Sequence, residues 1–152
     1  MKFAVKTASK DNTNRILFVL ALLGVGIALY VTQSFIRQSP IVCVNSGCEL
    51  VRKNPASYLF GIPVPAFGLV GYTLLAILAF LRTTSQRLHK KLLPYVLCIA
   101  TGGVLFVAWF TYNELFVIHA ICTWCAISTV NMTVICVLAW KSHLVQKRGH
   151  IL

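Results

Sequence analysis

Four uncharged apolar runs, each about 20 residues long, dominate this chain. They cover 16–36, 62–81, 92–112 and 121–140, and none contains Lys, Arg, Asp or Glu. A helix of about 20 residues, rising 1.5 Å per residue, crosses the ~30 Å hydrocarbon core of a bilayer. Backbone in lipid must satisfy its own hydrogen bonds, so runs of this kind fold as spanning helices. The expected fold is an all-α membrane protein, a four-transmembrane-helix bundle forming one integral membrane domain over residues 1–152. Loop 37–61 joins the first two spans. The first run is too long for the core of a signal peptide, and no small-residue cleavage site follows it before Arg37, so it reads as a retained helix. The stretch 92–140 is interrupted by Asn113, Glu114 and His119, where a tight turn over 113–120 is expected. No repeat, low-complexity segment or linker to a second domain is visible.

Charge sets the orientation. The chain has 14 basic and 3 acidic residues. The basic ones sit in short clusters beside the apolar runs, not in one patch between aromatics, which argues against a nucleic-acid surface. Four spans put both termini on one side, together with Lys2, Lys6, Lys10, Arg15, Arg82, Arg87, Lys90, Lys91, Lys141, Lys147 and Arg148. The other side holds Arg37, Arg52 and Lys53. The richer side is normally cytoplasmic. The expected location is therefore a membrane, multi-pass, with cytoplasmic termini and with loops 37–61 and 113–120 facing outward, to the outside of a bacterial cytoplasm or to an ER lumen.

That orientation places two cysteine pairs on the outer side, where disulfides persist. The pair Cys43 and Cys48 lies in "CVNSGC", where Asn45, Ser46 and Gly47 supply a flexible turn that lets a short disulfide close. The pair Cys122 and Cys125 lies in "CTWC", expected in the first turn of the fourth helix and on one face of it. A thiol at a helix N-terminus has a lowered pKa, and Cys-x-x-Cys is the spacing of redox-active dithiols. His119 could add positive charge there or accept a proton, although an interfacial polar loop residue is the plainer reading, and Trp124 fits an aromatic belt. Cys125, Thr129 and Met132 fall with Cys122 and Cys136 along one helical stripe. Cys136 lies about 16 Å deeper than Cys125, beyond disulfide reach, and it and Cys98 read as packing residues. Four cysteines could alternatively hold a soft metal ion in a non-catalytic bundle. No His or acidic cluster accompanies the first pair, and no metal ligand is assigned.

The segment "CVNSGCELVRKNPASYLFGIPVPAFGLVGY", followed by "CTWC", resembles the vitamin K epoxide reductase family in its bacterial branch, over about residues 15–142. The resemblance implies a four-helix bundle around a quinone (ubiquinone or menaquinone), with the first loop capping its outer mouth. It also implies a relay of thiol–disulfide exchange. By match of motif, Cys43 resembles the partner-facing shuttle cysteine and Cys48 the shuttle cysteine that attacks the membrane pair. Cys122 resembles the residue that exchanges with Cys48, and Cys125 the one beside the quinone. The implied activity is that of a membrane thiol oxidoreductase that reoxidises a periplasmic thioredoxin-like or DsbA-like partner. Many bacterial relatives carry a fused thioredoxin-like domain; here a separate partner is expected. Asn54 stands where many relatives have serine, and either side chain could cap a helix start ahead of Pro55. Thr129 stands where the vitamin K-reducing animal enzymes have tyrosine, a departure within the stripe of Cys125, Thr129 and Met132 that the resemblance makes a plausible quinone wall. The DsbB family, also four helices with two outward pairs, is the functional neighbour, but its CxxC lies in the first loop. "GIPVP" is expected either to start the second helix or to act as the hinge that fixes the cap. Segment 49–60 is expected to lie as a short interfacial helix over the mouth.

Overall fold

The computed structural model describes residues 2–44, 46–84 and 86–148, with side chains at 12–44, 46–84, 88 and 90–147. Asn45, and the side chains of Lys2, Lys6, Lys10, Arg87 and Arg148, lie outside that set. The spanning helices are α1 (Lys2–Arg37), α3 (Val64–Thr84), α4 (Gln86–Asn113) and α5 (Thr123–Arg148). Between α1 and α3 come the short helix α2 (Gly47–Lys53), a 3-10 turn (Pro55–Ser57) and two strands, β1 (Tyr58–Leu59) and β2 (Ile62–Pro63). The spanning helices run longer than their uncharged cores. Flanking polar and basic residues continue the helical hydrogen bonding where the chain leaves the apolar layer.

The four long helices close into a ring in which α1 packs on α3 and α5, and α4 packs on α3 and α5. Small residues bring the backbones together: Ala21 and Ala28 of α1, Ala76 of α3, Ala100 of α4 and Ala139 of α5 are all buried in one inner core with Leu75, Met132 and Ile135. Apolar faces do not drive helices together in lipid, so close packing and interhelical hydrogen bonds carry the association. The Asn14 side chain donates to the Ala79 carbonyl at 2.9 Å, and Asn131 donates to the Leu20 carbonyl at 3.0 Å. Tyr72, buried in α3, donates to the Ser128 carbonyl of α5 at 2.9 Å. Large apolar side chains cover the outside of the ring, such as Val19, Leu105 and Val130 at 60, 68 and 65 % exposure. A surface of that kind is stable against acyl chains and not against water. Cys98 is on this outer surface, exposed on α4, and is not the packing residue that its position implied. Cys136 does pack, against the inner core.

The cap is more ordered than an interfacial helix over 49–60. Asn54 accepts the Ala56 N–H at 2.9 Å, and Pro55 opens the 3-10 turn. β1 and β2 pair antiparallel, Tyr58 opposite Pro63 and Leu59 opposite Ile62. Phe60 and Gly61 join them with φ of 53° and 80°. Two successive positive φ values are the signature of the tight hairpin turn that twists with its strands, and glycine adopts the second without strain. "GIPVP" is therefore divided: Ile62–Pro63 is strand, and α3 begins at Val64.

The turn between α4 and α5 also differs from expectation. Most of 113–120 is helical, because a π-turn (Glu114–Ile118) extends α4. His119 ends it in the left-handed conformation, φ 54°, and its N–H returns to the Glu114 carbonyl. The Ala120 N–H reaches the same oxygen at 3.0 Å. A π-turn adds a residue to the helical turn and so re-aims the side chains around it.

Candidate active site

α2 is held over the bundle by a polar clamp. Arg52 is buried, 6 % exposed, although its charge marks it as a surface residue in the sequence. Its Nη2 pairs with Glu49 Oε2 at 2.7 Å and its Nη1 donates to Gln38 Oε1 at 2.7 Å. Glu49 Oε1 also accepts the Ile41 N–H at 3.2 Å. A buried cation is tolerable when its donors are satisfied in this way. The Arg52 hydrogen bond holds the Glu49 carboxyl below the usual carboxylate range, against the opposing effect of its desolvation. The clamp ties the end of α1, the loop after it and α2 into one unit.

That unit presents the first cysteine pair. Cys43 and Cys48 form a disulfide. Cys48 is buried at 1 % exposure, whereas Cys43 is half-buried between the exposed Val42 and Val44. Trp124, expected in an interfacial belt, has a more specific contact: its Nε1 donates to the Val42 carbonyl at 2.8 Å, and its ring packs on Tyr30. The start of α5 is thereby fastened to the residue before Cys43. On the other flank, Gly47 lies directly against the Ile121 backbone, and a β-carbon there would overlap the Ile121 carbonyl. Gly47 serves a close approach as well as a turn.

The second pair lies beneath. Cys122 immediately precedes α5, and its carbonyl accepts the Ala126 N–H at 3.0 Å, the first hydrogen bond of that helix. It is the N-cap and not a first-turn residue; Cys125 is in the first turn. Both are free thiols. The Cys125 thiol, hydrogen-bonded to Cys122, draws the Cys122 thiol below its ordinary value, helped by the N–H groups of Cys125 and Trp124. Burial and the nearby Glu114 charge oppose this. An oxygen or sulfur at an N-cap satisfies helix N–H groups that have no intrahelical acceptor. Cys48 and Cys122 are buried in one outer cluster, with Cys43 and Cys125 packed against it. The structure thus brings together four residues from two segments about 75 positions apart in sequence.

Below the cluster lies a cavity of about 270 Å³. Cys125, Ser128, Thr129 and Met132 form its α5 wall, Phe67 and Tyr72 part of its α3 wall, and Phe106 and Phe110 part of its α4 wall. Gly68, Gly71 and Gly102 also line it, and a β-carbon at any of them would meet nothing within 4 Å. The cavity exists partly because those positions lack side chains. The expected stripe divides at its ends: Cys122 turns to the cap cluster, and Cys136 approaches Thr101 at 3.9 Å away from the cavity.

One group near the cysteines was not singled out by the sequence. Glu114 is buried, 2 % exposed, and a carboxylate oxygen of Glu114 and the sulfurs of Cys122 and Cys125 all lie within 4.8 Å of one another. His119, the expected ionisable neighbour, is exposed. A signal for Glu114 was present: it is one of 3 acidic residues in the chain and is flanked by two apolar runs. An ionisable residue at membrane depth is costly unless it has a task.

The model of the vitamin K epoxide reductase family matches residues 15–140. The chain belongs to that family. A search of curated proteins returns no match. As a family member with four apolar helices long enough to cross a bilayer, it is a multi-pass membrane thiol oxidoreductase.

Proposed function

We propose that the protein reoxidises a separate thioredoxin-like or DsbA-like dithiol protein and passes the electrons to a membrane quinone, so supporting disulfide formation outside the cytoplasm. The observation that carries this reading is the stacking of two cysteine pairs in one cluster, with Cys125 opening onto an apolar cavity. The basic-residue bias supports cytoplasmic termini in a bacterial cell membrane, with the cluster at the periplasmic face.

The relay follows from exposure. A partner thiolate attacks Cys43, the more exposed sulfur of the loop disulfide, forming a mixed disulfide and releasing the Cys48 thiolate. With Cys122 and Cys125 oxidised, Cys48 attacks Cys122 and Cys125 leaves as thiolate. With the loop pair oxidised and Cys122 and Cys125 free, the pair beside the cavity holds two electrons.

The cavity fits a quinone head group in chemistry and roughly in size. Small-ligand sites are mostly apolar with a few polar groups, and ~300 Å³ is near their lower limit. A bound quinone would supply a two-electron, two-proton acceptor. Cys125 would face it, with Thr129 and Met132 on the same wall and aromatic rings opposite. The Thr129 hydroxyl donates to the Cys125 carbonyl at 2.9 Å, and Tyr72 donates to Ser128. With both donors engaged, these walls offer a ring mainly apolar and aromatic surface.

The test is reduction of a soluble quinone by a reduced thioredoxin-like protein, followed optically. Turnover that disappears in each of the four single Cys→Ser variants supports the relay. Stoichiometric uptake of Zn²⁺ without turnover would favour a metal-binding bundle instead.

A further inference from the structure

Thiol exchange moves protons as well as electrons, and the relay above leaves one proton without a carrier. When the Cys122–Cys125 pair is reduced, its sulfurs carry two protons in a cluster where Cys122 is buried and Cys125 partly so. Oxidising that pair to a disulfide releases two electrons and two protons. A base must stand next to the reacting sulfur for the S–H bond to break there.

Glu114 meets that requirement. Its side chain is within 4.8 Å of both sulfurs. The carboxyl has the Cys125 thiol and the Cys122 N–H as hydrogen-bonding neighbours. Its Oε1 has no hydrogen-bond partner among the described residues. The π-turn fixes its backbone, since the N–H groups of His119 and Ala120 both return to the Glu114 carbonyl. Among the described residues it makes no salt bridge; α2 packs on the π-turn, but the α2 charges Glu49, Arg52 and Lys53 pair with one another. An acidic group kept in an apolar site with no counter-ion is costly as a purely structural element.

We propose that Glu114 is the catalytic proton acceptor and donor of the Cys122–Cys125 pair, a role that rests on the relay reading. In the accepting step the S–H bond of Cys125 breaks, an O–H bond forms on the Glu114 carboxylate, and no electron changes hands. The resulting thiolate is the electron-rich form of the pair. As the two sulfurs join, the Cys122 S–H bond breaks, and two electrons and two protons pass to the quinone-class acceptor, one proton from the Cys122 thiol and the other from Glu114. Glu114 hands on one of those protons and ends as carboxylate. In the reverse sense, it protonates Cys125 when that sulfur leaves from the disulfide.

The experiment compares wild type, Glu114→Gln and Glu114→Asp, each shown to be folded by gel filtration in detergent. One readout is reduction of a soluble quinone. The other needs no quinone: the pH profile of iodoacetamide alkylation at Cys122, read by peptide mass in reduced protein. Loss of a general base typically costs ~10²–10⁴-fold, so E114Q should turn over at least about 100-fold more slowly. Removing the neighbouring negative charge should also shift Cys122 alkylation to lower pH, giving more thiolate but less turnover. E114D keeps the charge on a shorter arm and should recover part of the rate with the wild-type alkylation profile. Turnover in E114Q within threefold of wild type would overturn the assignment. So would a fall of alkylation and turnover together, which marks a structural role. If wild type with four intact cysteines reduces no quinone, the relay fails and the assignment falls with it; failure of the E114Q prediction alone leaves the relay standing. Zn²⁺ uptake that E114Q abolishes, with no turnover in wild type, would make the cluster a metal site.

Discussion

Replacing Gly47 with alanine puts a β-carbon where α2 meets the segment leading into Cys122. That atom would overlap the Ile121 carbonyl oxygen and lie 3.1 Å from its carbonyl carbon and 3.3 Å from its nitrogen. Carbon contacts are comfortable at about 3.5–4.0 Å, and the obstacle is backbone, so no side chain can rotate away. α2 and the start of α5 must part by roughly an ångström. Overpacking of this kind costs about 1–3 kcal/mol, offset by at most ~1 kcal/mol from the better helix propensity of alanine. The kinetic effect should exceed the loss of stability. Cys48 follows Gly47 directly, and in-line attack requires reacting atoms about 3–3.5 Å apart, so a 1 Å misplacement can cost ~10²-fold. Partner-driven quinone reduction should therefore fall about 100-fold. Reoxidation of a chemically reduced Cys122–Cys125 pair, which does not use α2, should stay within twofold. Gly26→Ala is the control, because a β-carbon there meets nothing within 4 Å. Partner-driven turnover within threefold of wild type in folded G47A protein would refute the argument that α2 is seated without slack.

Three further outcomes follow from the same geometry. Cys125→Ser removes the resolving sulfur, so a Cys48–Cys122 disulfide should accumulate under oxidising conditions; peptide mapping that finds Cys43 joined to Cys122 would exchange the roles of the loop cysteines. Gly71→Leu places a side chain in open cavity space, and should raise KM for a soluble quinone at least about tenfold without lowering Tm, a typical cost for misfitting an apolar pocket; an unchanged KM would put the quinone elsewhere. Glu49 has a folded-state pKa depressed by Arg52, so its contribution to stability is present above the ordinary glutamate value of about 4.3 and is lost as pH falls through the lower folded value. Melting curves from pH 6 downward should show a steeper loss of Tm for wild type than for Glu49→Gln, and parallel curves would mean that the clamp is not coupled to folding.

The spanning helices were legible because an uncharged run of about 20 residues has few stable alternatives in lipid. Their ends were less so. α5 begins at Thr123 and not at Ile121, because Cys122 occupies the N-cap, and nothing in a run of apolar residues marks that boundary. Within the site, the two cysteine pairs were visible from spacing alone, and Cys125, Thr129 and Met132 lie on one cavity wall as helical periodicity placed them. The contacts that set the pairs against each other were not visible. Trp124 reaches Val42 across 82 positions, and Arg52 reaches Gln38 across 14. Both side chains carry a local signal for the surface, and both are claimed by a partner distant in the chain. Burial of Arg52 depends on having its donors met by Glu49 and Gln38 together, a meeting that needs the chain to fold back after α1.

Glu114 was overlooked for a different reason. Counting Lys and Arg orients a membrane chain because Asp and Glu contribute little to topology. The same count passes over an acidic residue at the one place where its rarity matters. With Asn113 before it and His119 after it, Glu114 has the composition of a polar turn, and a turn would leave it in water. The π-turn reverses that outcome: by adding a residue to the last helical turn of α4, it carries Glu114 inward while His119 takes the surface. An extra residue in a helix has little energetic advantage of its own, and such turns occur mostly where a side chain must be aimed. The irregularity in the backbone and the buried acid in the apolar cluster are therefore two views of one feature, and its position against Cys122 and Cys125 assigns it to the chemistry of that pair and not to the packing of the bundle.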